Sequence, residues 1–171
     1  AGLPPRELGA RMILFLGSTI GNLSPDQSLD FLRRAAESMH AGEYFLIGYD
    51  LRKDPAILEA AYNDAAGVTA AFNLNMLRHL NERFDGDFDL DRFRHHAFYN
   101  RDDHRIEMHL RSLCAQKVRL AALDLDVSFE EGETIHTEIS RKFTPGYLEE
   151  TFGSIGFSPV DHFTDGQGRF G

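Results

Sequence analysis

Residues 13–23, ILFLGSTIGNL, decide the fold, because an apolar run leads directly into a loop of small residues. The apolar residues 12–16 are typical of a strand that is buried on both faces, as in parallel sheets. A helix should follow, since Ser24 is a predicted N-cap, Pro25 suits the first helical position and Gln27 completes a capping box. A strand, such a loop and a helix form a ligand crevice at the strand ends of an open α/β sheet.

Two common loop motifs do not fit residues 17–22, GSTIGN. A phosphate-binding loop would need Gly-Lys followed by Ser or Thr, and a nucleophile elbow would need serine where Thr19 stands. The glycines at positions 17 and 21 would let a ligand approach the backbone, while hydroxyl and amide side chains offer hydrogen bonds. On these residues alone, a tight turn without a ligand remains the alternative.

The composition excludes several classes of function. A net charge of −9 and a pI near 5.3 argue against a nucleic-acid partner and against binding to anionic membranes. The single cysteine, Cys114, cannot form an internal disulfide, which suits a reducing compartment. No apolar run approaches the roughly 20 residues of a membrane span, and no signal peptide is visible. We therefore predict a cytoplasmic protein with neither a membrane nor a nucleic-acid partner.

The rest of the chain alternates between helical and strand patterns. Residues 44–47 are a second apolar strand, which completes a right-handed parallel β-α-β unit. Helices are predicted over residues 55–66 and 68–84, and the second should turn Phe72, Leu77, Leu80 and Phe84 inward.

Further along, the apolar period falls to two. Residues 106–112 alternate as in a half-buried antiparallel strand. A helix over residues 147–155 and a strand over residues 159–163 close the chain, and residues 169–171 look like the start of another strand. We therefore expect the chain to be part of a longer protein.

Six segments of the sequence resemble the histidine-specific methyltransferase family. They are residues 15–23, 50–54, 61–64, 69–73, 106–108 and 137–140. The closing pattern of helix, Gly-Phe, strand and Asp-x-x-Gly turn is also similar to class I S-adenosylmethionine methyltransferases. The resemblance implies Nα-methylation of histidine to hercynine, the first step of ergothioneine biosynthesis, with S-adenosylmethionine as cofactor.

The resemblance also implies a fold and its domains. The fold class is α/β: the second half of a Rossmann-like class I methyltransferase sheet with an inserted α+β substrate-binding domain. Residues 1–52 and 143–171 would form the sheet part, and residues 53–142 the inserted domain.

Four residues would bind the backbone end of the amino-acid substrate. By the resemblance, Asn22 and Tyr62 would bind the α-carboxylate, and Gly17 and Thr19 would address the α-amine. From its residue type alone, Tyr62 could equally be a core ring with a solvated hydroxyl.

Three further residues would recognise the ring. The resemblance gives Glu138 and Ser140 to the imidazole and packs Met108 against it. Because Glu138 and Ser140 are two apart on one predicted strand, their side chains leave the same face, and a carboxylate with a hydroxyl can satisfy both imidazole nitrogens. The alternatives are a solvated strand face for the pair and ordinary core packing for Met108.

Neither a catalytic nucleophile nor a metal is predicted. Methyl transfer from a sulfonium needs positioning of an unprotonated amine rather than covalent catalysis. Four histidines lie close in sequence, but neither cysteine nor acidic residues stand at a clear metal-ligand spacing from them. They are His95, His96, His104 and His109.

The cofactor site is expected to lie upstream of residue 1, because the 171 residues contain no glycine-rich first loop of the family's type. We therefore predict that this chain folds but is inactive alone, and that its open sheet edge favours self-association. Two rival functions remain: methylation of another amine, such as a tryptophan derivative or a thiol-bearing histidine, and amino-acid binding without catalysis.

Overall fold

The structure is a computed structural model that describes residues 9–171, and the chain divides into two compact units. The first unit comprises residues up to Lys53, Asp102–Arg105 and Ser140–Gly171. The second unit comprises Asp54–Arg101 and Ile106–Ile139. Apart from residues 102–105, the two units alternate along the chain as the predicted domains do, and the domain boundaries stay a prediction.

The first unit contains the predicted parallel β-α-β arrangement. Strand β1 (Met12–Phe15) pairs in parallel with β2 (Tyr44–Ile47), and helix α1 (Pro25–Ser38) connects them. The capping box at Ser24 is present, with Gln27 N–H donating to Ser24 Oγ at 3.2 Å and Ser24 N–H donating to Gln27 Oε1 at 2.9 Å. The α/β class predicted from the sequence is therefore confirmed.

The prediction that these strands are buried on both faces is wrong. Met12 and Leu14 on β1 are each 57% exposed, and Tyr44 and Leu46 on β2 are also exposed. The alternate side chains pack into the core, but no element among residues 9–171 covers the opposite face. An apolar run shows that a strand can be buried on both sides, not that a partner lies on each side. Self-association through this sheet stays a prediction.

The core of the first unit lies on the covered face of the sheet and against helix α4 (Pro145–Ser154). It consists of Ile20, Leu32, Tyr49, Leu51, Phe143 and Leu148. The chain end pairs back onto this core, since Tyr49 and Gly171 exchange backbone hydrogen bonds of 2.8 and 3.0 Å.

The strand predicted over residues 159–163 is not formed. These residues join no sheet, and Val160 and Phe163 are 78% and 67% exposed. A strand requires a partner for its backbone groups. The residues that follow β2 pair instead with the chain end, as Asp50 does with Phe170.

The second unit combines two helices with a three-stranded sheet and an antiparallel hairpin. Helices α2 (Pro55–Tyr62) and α3 (Val68–Phe84) precede a sheet of order β3-β4-β7 and a hairpin. The sheet strands are β3 (Phe93–Asn100), β4 (Arg105–Ser112) and β7 (Thr134–Arg141), and the hairpin strands are β5 (Gln116–Leu120) and β6 (Leu125–Phe129). Three end residues of these strands, Arg105, Ser140 and Arg141, belong to the first unit. The main core of the second unit comprises Leu77, Phe88, Phe93, Leu110, Val118, Leu120 and Phe129.

Two details of the helices differ from the prediction. Helix α2 ends at Tyr62 rather than at residue 66. On α3, whose bounds are as predicted, Phe72 is 66% exposed and Asn73 takes the buried position beside it. Asn73 can be buried because its amide is hydrogen-bonded, so a polar residue displaces the aromatic from the inner face. Within the described residues, no helix has the length and apolar character needed to cross a membrane.

Candidate functional site

The loop after β1 is held against the end of β2. Gly17 and Ser18 both adopt the left-handed conformation, with φ of 76° and 57°. Ser18 N–H donates to the Gly48 carbonyl at 3.1 Å, and Ser18 Oγ accepts from Asp50 N–H at 2.9 Å. The turn thus exposes the backbone at Gly17 while Ser18 fixes the loop in place, so residues 19–22 begin from a defined position.

The three predicted binding residues of this loop are all exposed. They are Gly17, Thr19 and Asn22. Gly21, in contrast, is buried, and a Cβ at this position would lie 2.9 Å from the Arg141 carbonyl oxygen. The close approach that Gly21 allows is therefore to the chain's own backbone and not to a ligand. Gly17 is exposed, and its role in ligand binding stays a prediction.

A buried lysine connects Ser140 with this loop. Lys142 Nζ donates to Ser140 Oγ at 2.8 Å and pairs with Asp50 Oδ2 at 2.8 Å. The Lys142 side chain is fully buried, and the Asp50 side chain, 20% exposed, also pairs with Lys53. Because Asp50 N–H donates to Ser18 Oγ, one continuous polar network runs from Ser140 to the loop.

The sequence did not reveal this network. Lys142 follows β7 and its partner Asp50 lies 92 positions earlier, so no local spacing links the two. A hydroxyl that accepts from an ammonium group is polarised and becomes a stronger donor itself. Lys142 therefore both positions Ser140 and strengthens its hydrogen-bonding capacity.

Tyr62 and Met108 are brought together in the second unit. Met108 is 3% exposed and belongs to an apolar cluster with Leu58, Ala97 and Ile106, against which Tyr62 packs. Core packing is thus an established role of Met108, while its contact with a substrate ring stays a prediction.

The backbone of Tyr62 is held by a half-buried histidine, His95. His95 Nε2 lies 2.8 Å from the Tyr62 carbonyl oxygen, and His95 Nδ1 lies 3.0 Å from Asn73 Nδ2. An amide nitrogen can only donate, so Nδ1 accepts and Nε2 carries the proton that bonds Tyr62. Asn73 Nδ2 also donates to the His109 carbonyl at 3.1 Å. His95 is therefore a structural residue that fixes the end of α2.

The turn after α2 is fixed by Asp64. Its carboxylate accepts from the N–H groups of Thr69 at 2.8 Å and Val68 at 2.9 Å, at the start of α3. These hydrogen bonds, those from Thr69 above all, lower the pKa of Asp64 to about 2. The positions of Tyr62 and of α3 are thus set by backbone capping in the segment that joins them.

A second polar cluster lies on the sheet of the second unit. The rings of His109 and His136 stack with centroids 4.5 Å apart, and His109 Nε2 lies 3.3 Å from Glu107 Oε2. Burial lowers the pKa of His109, although its hydrogen bond with Glu107 acts in the opposite direction. The sequence singles out His109 but neither of its partners, and His136 lies 27 positions further along the chain, on β7.

The seven predicted substrate residues are divided between the two units. Gly17, Thr19, Asn22 and Ser140 belong to the first, and Tyr62, Met108 and Glu138 belong to the second. Ser140 is buried and Glu138 is half-buried. Their roles in substrate binding stay predictions.

A parallel β-α-β unit with an exposed loop at its strand end is the ligand-binding arrangement of open α/β sheets in general. All 171 residues match the family described as histidine-specific methyltransferase, SAM-dependent. The chain therefore belongs to the histidine-specific, SAM-dependent methyltransferase family, which confirms the resemblance found in its sequence.

Several proteins are similar to this chain. A histidine N-alpha-methyltransferase of Mycolicibacterium smegmatis is 48% identical over 165 residues, which cover 96% of this chain and 51% of that protein. A protein of the same name from Mycobacterium tuberculosis is 45% identical over 163 residues, covering 95% and 51%. An L-tryptophan methyltransferase of Psilocybe serbica is 26% identical over 160 residues, covering 92% and 44%. The chain thus spans about half the length of the curated relatives it matches.

Proposed function

We propose that this chain supplies the amino-acid-binding part of an S-adenosylmethionine-dependent Nα-methyltransferase whose substrate is histidine and whose product is hercynine. The observation that carries the proposal is the family match over all 171 residues, together with about 45–48% identity to two histidine N-alpha-methyltransferases. Because the chain spans about half of those relatives, we propose the activity for the complete product of the gene that encodes this chain, called the full-length product below.

The backbone end of histidine would be bound by polar groups of the loop and of α2. Asn22 is exposed at the end of the loop. Its amide and the Tyr62 hydroxyl would each donate to the substrate α-carboxylate. Gly17 and Thr19 would face the α-amine. The left-handed turn at Gly17 and Ser18 supports this role, since it exposes backbone in a fixed conformation.

The ring would be recognised by a matched acceptor and donor. In a neutral imidazole, one nitrogen donates and the other accepts, so the Glu138 carboxylate would accept from the first and the Ser140 hydroxyl would donate to the second. The hydrogen bond from Lys142 to Ser140 supports this assignment, because it orients and polarises the hydroxyl. Met108 would contribute apolar contact. A site built to satisfy both nitrogens discriminates strongly against rings that lack them.

The chain's own residues would act by positioning. S-adenosylmethionine supplies an electrophilic methyl group when it is bound, so no protein nucleophile is needed. Asn22 and Tyr62 would fix one end of the substrate and Glu138 and Ser140 the other, which directs the unprotonated amine. Orientation of this kind accounts for a large share of the rate enhancement in such bimolecular reactions. Each transfer would form an N–C bond at the substrate amine and break the methyl–sulfur bond of the sulfonium, which would leave as a neutral thioether. The amine would lose one proton after each of the first two transfers, and the third would give a trimethylammonium group that has no proton to lose.

Asn22→Ala in the full-length product is expected to reduce methyl transfer about 10- to 100-fold, and by the same factor for histidine and for a ring-altered analogue. The reason is that Asn22 would bind the carboxylate that all α-amino acids share. Methylation rates with both substrates measure this effect. Asn75→Ala is the matched control, because Asn75 lies on α3 and its side-chain oxygen accepts a hydrogen bond from Arg78. A loss confined to one substrate would mean that Asn22 recognises the side chain.

The proposal itself is tested by incubating the full-length product with S-adenosylmethionine and histidine and measuring trimethylhistidine by mass spectrometry. We expect hercynine from the full-length product. The 171-residue chain alone should form none above a control without protein and should not bind S-adenosylmethionine at micromolar concentrations, because its proposed sites are those of the amino acid. Micromolar cofactor binding by the chain alone would show that the cofactor site lies within these residues.

A second candidate is methylation of another amino acid, which the 26% identity to an L-tryptophan methyltransferase favours. The same assay distinguishes the two when tryptophan replaces histidine. Methylation of tryptophan but not of histidine would select this candidate. Histidine binding by the full-length product without any transfer would instead indicate a binding module.

A further inference from the structure

We propose that Glu107, His109 and His136 form a binding site for a divalent cation such as Zn²⁺, which accepts both nitrogen and oxygen ligands. One oxygen of Glu107 and one ring nitrogen of each histidine lie within 4.8 Å of one another. The sequence predicts no metal site, because neither cysteine nor acidic residues stand at a clear metal-ligand spacing from the clustered histidines. The proposal concerns only residues of the second unit, and none of the three is assigned a role in histidine binding.

The spacing of the ligand atoms fits four-coordinate zinc. With metal–ligand bonds of about 2.0–2.1 Å, the edge of a tetrahedral site is roughly 3.3 Å. His109 Nε2 and Glu107 Oε2 are already 3.3 Å apart, which is long for a charge-assisted hydrogen bond but correct for this edge. Since all three atoms lie within 4.8 Å, His136 has to move by at most about 1.5 Å. His136 is exposed, so its ring can turn without disturbing the core, but the turn would loosen the 3.2 Å contact between His136 Nε2 and the Glu138 carbonyl oxygen.

Two neighbouring side chains hold the ligands as in known metal sites. Asn100 Nδ2 donates to Glu107 Oε1 at 2.9 Å, which orients the carboxylate. Thr134 Oγ1 lies 3.1 Å from His109 Nδ1, and a hydroxyl can either donate to that nitrogen or accept from it. Thr134 therefore suits the tautomer in which Nδ1 is protonated and Nε2 is available to a metal. Such outer contacts fix the ring orientation of metal-binding histidines.

The donor set indicates which cation binds. Two neutral imidazoles and one carboxylate are the three-ligand set of open zinc sites, which leave a fourth position for water or another ligand. Magnesium prefers octahedral oxygen coordination and should bind poorly here. Glu107 is 7% exposed, so its charge is poorly solvated and a cation beside it is favoured.

Calorimetric titration of the metal-free 171-residue chain with Zn²⁺ tests the proposal. We expect one site per chain, and His136→Ala should weaken it at least about 100-fold, more than the loss of an outer contact would. Glu107→Gln should also weaken it while keeping the side-chain shape. His79→Ala, which removes an exposed histidine of α3, should leave the affinity unchanged. Mg²⁺ should give no heat of binding.

Three results would overturn the proposal: no zinc binding up to millimolar concentration, unchanged affinity in His136→Ala, or an equal loss in His79→Ala. Thermal melts without metal show whether the variants are folded. The visible spectrum of the unmodified chain with Co²⁺ decides the matter without any variant. Intense bands indicate the expected four-coordinate site, and weak octahedral bands contradict it.

Discussion

Glu138→Ala in the full-length product is expected to raise the dissociation constant of histidine about 10- to 100-fold and to leave S-adenosylmethionine binding nearly unchanged. The change removes a carboxylate proposed to accept from the imidazole N–H. A hydrogen bond to a charged group contributes about 1.5–3 kcal/mol, which corresponds to this factor. Calorimetric titration with each ligand separately measures both constants.

Glu131→Ala is the matched control, since Glu131 is an exposed glutamate in the turn before β7. It should bind histidine as the unmodified protein does. An unchanged dissociation constant in Glu138→Ala would refute the assignment of Glu138 to the ring. A parallel loss of S-adenosylmethionine binding would show instead that the substitution disturbs the fold.

Lys142→Met is expected to lower the free energy of unfolding of the 171-residue chain by about 2–4 kcal/mol. Breaking a buried ion pair typically costs about 3–5 kcal/mol, because one charge is left uncompensated. The loss is smaller here since Asp50 keeps its contact with Lys53. Urea denaturation at fixed pH and salt measures it, and methionine retains the apolar length of the lysine.

Lys117→Met is the control, because Lys117 pairs with Asp126 at the surface, where its side chain is 64% exposed. An exposed ion pair contributes little to stability, so the free energy of unfolding of Lys117→Met should hardly differ from that of the unmodified chain. In a double-mutant cycle, Asp50→Asn combined with Lys142→Met should be less destabilised than the sum of the single changes. Equal effects of the two lysine substitutions would mean that the buried pair adds nothing to stability.

Local patterns in the sequence predicted the elements that depend on local physics. The capping residues at Ser24 defined the start of α1, and period-two alternation identified β4. Burial was less predictable, because it depends on neighbours that the pattern does not specify. The apolar residues of β1 show this, and so do residues 159–163, where strand-like composition finds no pairing partner.

Residue type and spacing support a prediction for part of the candidate site, as at Glu138 and Ser140, whose roles in substrate binding stay predictions. The supporting residues were not predictable in this way. Lys142 would ordinarily be assigned to the surface, and only the fold shows that it pairs with Asp50. Likewise, His136 joins His109 only through the pairing of β4 with β7. Such contacts come from strands that are distant in the chain.

The close approach at Gly21 has a consequence for engineering the loop. Any side chain there would meet the Arg141 backbone, so substitution at this one position compromises the fold before it can alter recognition. Thr19 and Asn22, on either side, are exposed and carry no such restriction. A directed-evolution library that seeks new amino-acid substrates should therefore randomise Thr19 and Asn22 and keep Gly21 fixed, which preserves folded members for selection.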